Sequence, residues 1–119
     1  MSDSSCDVRM GTSGFDYPEW RGAFYPENLA REDFLPFYAE KFSTVELNFS
    51  YYRMPEEHQF ERMLERSGPL LDFSVKAHES LTHKVDPATW KDAASQYRKS
   101  LRPLLRAKRL VAVLLQFPY

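Results

Sequence analysis

The chain has 119 residues, which is the length of one domain or of part of one. Its 16 basic and 17 acidic residues nearly cancel, which argues against general nucleic-acid binding because that function needs an excess of Lys and Arg on one face. Aromatic residues make up 15% of the sequence. Because each buries a large area, we expect a real core even at this length.

The first seven residues form a polar leader that we expect to be disordered. Cys6, the only cysteine, lies in it, so no disulfide can form within the chain. The leader has no apolar stretch typical of a signal peptide, and no part of the sequence approaches the ~20 apolar residues of a membrane span. We therefore predict a cytoplasmic protein without membrane contact, with residues 8–119 as its one domain.

Four short runs rich in apolar residues predict β-strands, and they lie at Val8–Gly14, Thr44–Ser50, Phe73–His78 and Leu110–Gln116. The last run is apolar without alternation, which is typical of a strand buried on both faces in a parallel sheet. Helical patterns separate the runs, so the sequence predicts an α/β fold with parallel strands. Chemistry is then expected at the carboxyl ends of the strands, as in parallel barrels.

Three stretches with apolar residues at helical spacing predict the helices between these strands. The first covers about residues 33–41. The second opens at Pro55 and stops at Gly68, which supplies a left-handed residue. The third begins near Asp86, and Pro103 is expected to kink it or to start a second short helix.

A long loop is predicted between the first strand and the first helix because Gly and Pro recur from residue 15 to residue 28. Long ordered loops are often functional. The segment contains Tyr17, Trp20, Phe24 and Tyr25, which is too many aromatic residues for a solvated loop. We expect it to fold over the strand ends as a packed cover.

Polar side chains are predicted to line one face of the sheet because side chains alternate along a strand. The second strand contributes Glu46, Asn48 and Ser50 to this face, and the third contributes Ser74, Lys76 and His78. We therefore expect Lys76 to meet Glu46. Two interpretations stay open: an acid–base or hydroxyl-binding Glu46 with Lys76 stabilising negative charge or a phosphate, or a buried structural ion pair.

Further candidate residues follow the other strand ends. Thr12 and Ser13 are expected to line the rim, and Gln116 closes the fourth strand. The second strand is expected to end with Tyr51, Tyr52 and Arg53. These residues could stack on a ligand or an anion, although core packing is the commoner role of such aromatic rings.

His83 lies in the loop after the third strand, where it could serve as an acid–base residue or phosphate ligand, or be merely solvated or helix-capping. Metal binding is weakly supported because no set of His, Cys, Asp and Glu has a recognised ligand spacing. The sequence therefore predicts no metal site and identifies no cofactor.

Four blocks of sequence occur in a distinctive order. They read GTSGFxYxxWRGxFYP at 11–26, FxTVELNxSxYRxP at 42–55, FSVKA at 73–77 with Thr82-His83 after it, and LQFP at 115–118. Their order resembles that of the YecE-like family, also called domain of unknown function 72, and the resemblance covers nearly everything after the leader. It implies a TIM-like (β/α)8 barrel of about twice this length, without a settled activity.

The resemblance also implies which residues form the site. The family's polar strand-end positions match Glu46, Asn48, Lys76, His83 and Gln116, and flanking positions match Thr12, Ser13, Trp20 and Arg53. The chain departs from the family pattern at Phe15, Phe49, His78 and Tyr119. None of these departures removes a candidate catalytic group, but Phe49 stands where a small residue is common and would alter packing behind the site.

The expected fold class is therefore the N-terminal half of a TIM-like barrel, with four parallel strands alternating with helices. A half-barrel leaves two strand edges open and exposes apolar surface. A truncated product, symmetric self-association or low stability would each account for this. We favour truncation, with self-association through the edges as its physical consequence.

The leading functional hypothesis is an enzyme-like barrel without an assigned reaction, which binds a small polar, phosphorylated or sugar-like ligand. Glu46 would be the acid–base group or hydroxyl ligand, Lys76 the electrostatic stabiliser, and His83 the proton shuttle or anion ligand. Asn48 and Gln116 would orient the ligand. We expect the half-barrel to be inactive alone. The alternative is a non-catalytic binding or assembly module that forms homo-oligomers.

Overall fold

The computed structural model describes residues 5–118, which fold into four strands and five α-helices. The strands are β1 (Gly11–Ser13), β2 (Thr44–Leu47), β3 (Asp72–Lys76) and β4 (Leu110–Leu114). The helices are α1 (Phe34–Lys41), α2 (Phe49–Tyr52), α3 (Glu57–Arg66), α4 (Trp90–Ser100) and α5 (Arg102–Arg106). Single 3₁₀ turns lie at Pro18–Trp20, Arg31–Asp33 and Glu79–Leu81.

The four strands form one parallel sheet in the order β1-β2-β3-β4. Ser13 pairs with Glu46 across β1 and β2, and Glu46 pairs with Ser74 across β2 and β3. The register shifts once between β3 and β4, where β4 carries an extra residue as a β-bulge. Sequential parallel strands joined through helices are the arrangement of a TIM-like barrel, so the predicted fold class is confirmed.

The helices pack on one face of the sheet and enclose the core with it. This core consists of Val45, Leu47, Phe73 and Val75 from the strands and Phe34, Leu35, Tyr38, Phe60, Tyr97 and Leu104 from the helices, with Tyr25, Leu71, Ala77 and Leu101 from the connecting segments. Large apolar side chains on one stripe of each helix account for this arrangement.

The aromatic loop between β1 and α1 is packed, as predicted, and its main partner is α1. Tyr25 is buried and stacks on Phe34 with ring centroids 4.1 Å apart, and Phe24 lies edge-on to Phe37 at 5.4 Å. At the strand end itself, the Tyr17 hydroxyl donates to the Ser13 carbonyl. The loop therefore joins α1 to the carboxyl end of β1.

The end of α3 and the break between α4 and α5 follow the predicted signals, whereas α4 begins at Trp90 and the predicted helix start near Asp86 is wrong. Glu56 precedes α3, and its backbone N–H donates to the Gln59 side chain at 2.9 Å. Gly68 follows α3 with a φ of 71°, a conformation that favours glycine. Pro103 lies in the first turn of α5, so the predicted interruption separates two helices at Leu101.

The prediction that the second strand continues to Ser50 is wrong. β2 ends at Leu47, and residues 49–52 form the short helix α2. Ser50 is fully buried, and its hydroxyl donates to the Lys76 carbonyl at the end of β3. This contact satisfies both buried polar groups and turns the chain away from the sheet, so Ser50 does not share a strand face with Glu46.

The prediction that the last strand is buried on both faces is also wrong. Val113 pairs with the buried Val75 and so lies on the helix-facing side of the sheet, yet it is 38% exposed. Leu115, just beyond β4, is 52% exposed. The reason is that β4 is an edge of the described sheet and no helix among residues 5–118 covers it.

The amino end of the sheet is closed by charged side chains in a partly buried setting. Asp72 is 7% exposed, and its carboxylate forms an ion pair with Arg9. Arg109 donates to the Leu71 carbonyl and, at 2.7 Å, to the Ser67 hydroxyl. Burial lowers the pKa of Arg109, and the nearby Asp72 opposes this shift. These contacts support the fold at the end opposite the candidate site.

The predicted leader lies partly outside the described residues, which begin at residue 5. Residues 5–7 have no regular secondary structure. Between residues 5 and 118, every helix is too short or too polar to cross a bilayer.

Candidate functional site

Three polar side chains meet at the carboxyl ends of β1 and β2. The Ser13 hydroxyl donates to Glu46 Oε2 at 2.6 Å, and Asn48 Nδ2 donates to Ser13 Oγ at 2.6 Å. The register places Ser13 beside Glu46, and Asn48 follows the last residue of β2. The structure brings these three candidate residues together, and we call them the Ser13–Glu46–Asn48 group.

The backbone around Ser13 is fixed by its neighbours. The Tyr17 hydroxyl donates to the Ser13 carbonyl at 2.7 Å, and the Gly14 N–H donates to the Glu46 carbonyl at 2.8 Å. Gly14 has a φ of 84°, and a side chain there would collide with the Tyr17 hydroxyl. Only glycine therefore suits this sharp strand exit.

The hydrogen bonds of this group have a definite direction. The Ser13 proton points to Glu46, while Asn48 occupies an acceptor position of Ser13. Glu46 Oε1 accepts no hydrogen bond from a side chain or backbone group between residues 5 and 118. A half-buried carboxylate with one oxygen held and one open is suited to accept a ligand hydroxyl or proton.

A second cluster lies at the ends of β2 and β3. The Lys76 ammonium lies 5.0 Å from the centroid of the Tyr51 ring. The His83 ring meets the same ring edge-on, with centroids 5.1 Å apart. His83 Nδ1 is 2.8 Å from the Thr82 hydroxyl. We call these residues the Lys76–Tyr51–His83 group.

The predicted contact between Glu46 and Lys76 is wrong, because no ion pair within 4.0 Å joins them among the described residues. The sheet register explains the difference. Glu46 pairs with Ser74, so Lys76 lies two residues further toward the carboxyl end of β3. Its ammonium turns to the Tyr51 ring instead. The structural ion pair therefore has no support from this geometry.

The remaining predicted site residues lie apart from these two groups. Thr12 pairs with Val45 of the core, and its N–H donates to the Tyr38 hydroxyl at 2.7 Å, so it faces the helices. Trp20 packs on Tyr17 with ring centroids 4.6 Å apart. Both residues therefore contact neighbours of the site and do not line it. Arg53, which directly follows α2, and Gln116, which lies beyond β4, are exposed and have no side-chain hydrogen bond in the described part of the chain.

Residues outside the predicted set hold Lys76 in place. The hydroxyls of Ser50 and Tyr97 both donate to the Lys76 carbonyl, that of Tyr97 at 3.1 Å. Burial raises the pKa of Tyr97 above its usual value, which keeps this hydroxyl a donor. In the sequence, Tyr51 is indicated only by its position three residues after Asn48. Both ligand stacking and core packing stayed open as its role.

A small cleft adjoins the Ser13–Glu46–Asn48 group. Its volume is about 160 Å³, and it is lined by Gly14, Phe15, Asp16, Tyr17, Leu47, Asn48 and Phe49. Small-molecule sites typically measure ~300–1,000 Å³, so these residues accommodate only a part of a typical ligand. Within residues 5–118, no three His, Cys, Asp or Glu side chains are arranged to hold a metal ion.

Comparison with known proteins identifies relatives of this chain. Residues 9–119 match the family model described as "Protein of unknown function DUF72". A DUF72 family protein of Thermotoga maritima MSB8 has a similar structure, with a TM-score of 0.76 and 37% identity over 92% of this chain and 44% of that one. A second, from Enterococcus faecalis V583, has a TM-score of 0.75 and 20% identity over 92% and 39% of the two chains, which shows the fold alone.

A curated relative, the UPF0759 protein YunF of Bacillus subtilis, is 27% identical over 100 residues, which cover 81% of this chain and 36% of YunF. The chain thus spans less than half the length of the relatives it matches. The resemblance expected from the four sequence blocks is confirmed by the family match over residues 9–119. The chain therefore belongs to the DUF72 family.

Proposed function

We propose that the carboxyl ends of β1, β2 and β3 bind a small polar ligand that carries hydroxyl groups. The observation that carries the proposal is the directed hydrogen-bond chain from Asn48 through Ser13 to Glu46. Polar groups held in one orientation at a strand end lose little freedom when a ligand binds. The position agrees with the usual place of binding in parallel barrels, although the fold does not define the ligand.

Each residue has a distinct part in this proposal. Glu46 accepts a ligand hydroxyl and is placed to act as an acid–base group in an enzyme reaction. Asn48 orients the ligand. Lys76 stabilises negative charge, and His83 is the proton shuttle or anion ligand. The reaction itself stays unassigned.

The proposal is tested by thermal unfolding of the chain with a panel of sugars, polyols and sugar phosphates. A ligand at 100 times its Kd adds about 2.7 kcal/mol to the free energy of unfolding, which is readily measured. Glu46→Gln and Asn48→Ala are expected to remove the shifts in melting temperature caused by binding compounds. Glu40→Gln, which changes an exposed carboxylate on α1, is the matched control and should retain them.

One result would contradict the proposal directly. If Glu46→Gln lowers the melting temperature of the free chain but leaves every ligand-induced shift unchanged, Glu46 has a structural role only. A panel without any binding compound would also contradict it.

As a second candidate, we infer a non-catalytic assembly module that associates with copies of itself through β4. The observation that favours it is the exposed apolar surface along this strand, where Val113 is 38% and Leu115 is 52% exposed. Apolar side chains on an open sheet edge favour pairing with another chain. The oligomeric state in solution tests this candidate.

A further inference from the structure

The Lys76 ammonium has no carboxylate partner among residues 5–118. No Asp or Glu oxygen of the described residues lies within 4.0 Å of its ammonium, whereas Lys84, in the loop after β3, pairs with Glu79 at 3.4 Å. The Lys76 ammonium lies over the Tyr51 ring at 5.0 Å. A cation–π contact holds the charge in place and leaves N–H donors free for an anion.

The position of Lys76 is fixed by buried groups. Its carbonyl accepts hydrogen bonds from the hydroxyls of Ser50 and Tyr97, which are 0% and 3% exposed. The first of these belongs to α2, the same short helix that carries Tyr51. The hydrogen bond from Ser50 to the Lys76 carbonyl therefore joins β3 to α2, the helix whose Tyr51 ring lies beneath the Lys76 ammonium.

A second potential donor, His83, contacts the same Tyr51 ring. The His83 ring contacts it edge-on, with centroids 5.1 Å apart, while Nδ1 of His83 lies 2.8 Å from the Thr82 hydroxyl. This leaves Nε2 for another partner. Lys76 and His83 thus lie on one aromatic ring, and neither has a carboxylate partner in the part of the chain described.

We propose that the Lys76–Tyr51–His83 group is the anion subsite of the strand-end site and that it binds a phosphate monoester group. Lys76 and His83 donate to the phosphate oxygens, and Tyr51 is the positioning residue for both. The inference deepens the proposed function on which it rests, since the Ser13–Glu46–Asn48 group takes the hydroxyls. The ligand class is then a phosphorylated polyol or sugar.

The test is a titration of the ¹⁵N-labelled chain with inorganic phosphate, followed by amide chemical shifts at constant ionic strength. Saturable shifts are expected at residues 51, 76 and 82–83. Lys76→Met should raise the Kd for phosphate about tenfold or more, because a charge-assisted hydrogen bond is lost. Lys84→Met, which removes a neighbouring lysine already paired with Glu79, should leave the Kd within about twofold.

The role of Tyr51 has its own pair of variants. Tyr51→Phe keeps the ring and should retain the wild-type Kd, whereas Tyr51→Leu should raise it about fivefold because the cation–π contact is lost. Amide shifts of α3 and α4 that stay unchanged in Tyr51→Leu show that the fold persists. Equal weakening in both variants would overturn the positioning role.

Two results would overturn the subsite itself. Phosphate shifts that follow the exposed Arg and Lys side chains at large would mean an adventitious ion only, and so would an unchanged Kd in Lys76→Met. The outcome is separable from that of the proposed function, because the phosphate titration is tested through Lys76 and the hydroxyl contacts are tested through Glu46. If phosphate binds but Glu46→Gln has no effect on the affinity for a sugar phosphate, the Ser13–Glu46–Asn48 group is rejected as the part of the site that binds hydroxyls. The anion subsite is then kept.

Discussion

At the scale of single residues, Lys108 occupies a backbone conformation that ordinarily belongs to glycine. Its φ is 58°, the only positive φ of a residue other than glycine between residues 5 and 118. The Lys108 N–H donates to the Leu105 carbonyl and the Arg109 N–H to the Leu104 carbonyl, each at 3.0 Å. This pair of bonds is a Schellman motif, which ends α5 and directs the chain into β4.

Replacing Lys108 by glycine is therefore expected to stabilise the chain. The left-handed conformation costs a residue with a side chain about 1–2 kcal/mol, and the larger entropy that glycine loses on folding offsets part of this gain. We expect Lys108→Gly to add roughly 0.5–1 kcal/mol to the free energy of unfolding in urea. Lys108→Ala keeps the strain and is the control. Equal stability of the two variants would show that the backbone conformation carries no strain.

The site residues show what could be predicted at this scale. Ser13, Glu46 and Asn48 were predictable because alternation along a strand is local and neighbouring parallel strands bring their carboxyl ends together. The contact of Lys76 was not, because it depends on the stagger between β2 and β3. Because Lys76 lies two residues beyond the strand partner of Glu46, its ammonium contacts the Tyr51 ring and not the Glu46 carboxylate.

At the scale of elements, the boundary between β2 and α2 shows the same limit. Residues 49–52 are aromatic apart from Ser50 and have no helical preference of their own. Their helical turn is supported by the bond from Ser50 to the Lys76 carbonyl, a partner 26 residues away in sequence. The four strands and the longer helices were predictable because their patterns are local, whereas this turn depends on a distant contact.

The 3₁₀ turn after β3 has a cap that depends on protonation. Nδ1 of His78 accepts the Ser80 N–H at 3.2 Å and lies 2.8 Å from the Ser80 hydroxyl, which requires a neutral ring nitrogen. Burial lowers the pKa of His78, with Lys84 acting in the same direction and Glu79 opposing it. The folded state therefore prefers the neutral ring more than the unfolded state does.

The stability of the chain should depend on this proton. Because the pKa of His78 is lower in the folded state, its contribution is fully present above the unfolded value of about 6.5 and is lost as pH falls through the folded value. We expect the urea midpoint to fall from pH 7 toward pH 5, and His78→Asn, which can still cap the turn, to reduce this fall. His58→Asn changes an exposed histidine and should keep it. An identical slope in His78→Asn would contradict the argument.

At the scale of the whole molecule, the two ends of the sheet differ in the contacts that their polar side chains make. The amino end holds the Arg9–Asp72 ion pair and the bonds of Arg109, which act across three strands and their connections. The carboxyl end holds the two polar groups of the candidate site, whose side chains are partly open to solvent. In parallel barrels, stabilising contacts usually lie at the amino ends of the strands and ligand binding at the carboxyl ends.

The apolar surface along β4 leads to a prediction for the behaviour of the molecule in solution. Val113 and Leu115 are 38% and 52% exposed, so we expect self-association. Light scattering after size exclusion should give a mass above the monomer value of 14.0 kDa that rises with concentration. Val113→Lys with Leu115→Lys should restore the monomer, because charged side chains on an edge strand oppose pairing. Val85→Lys, at a loop position that is 49% exposed, is the control and should still associate. A wild-type monomer from about 10 to 500 µM would reject the assembly hypothesis and leave ligand binding as the function to pursue.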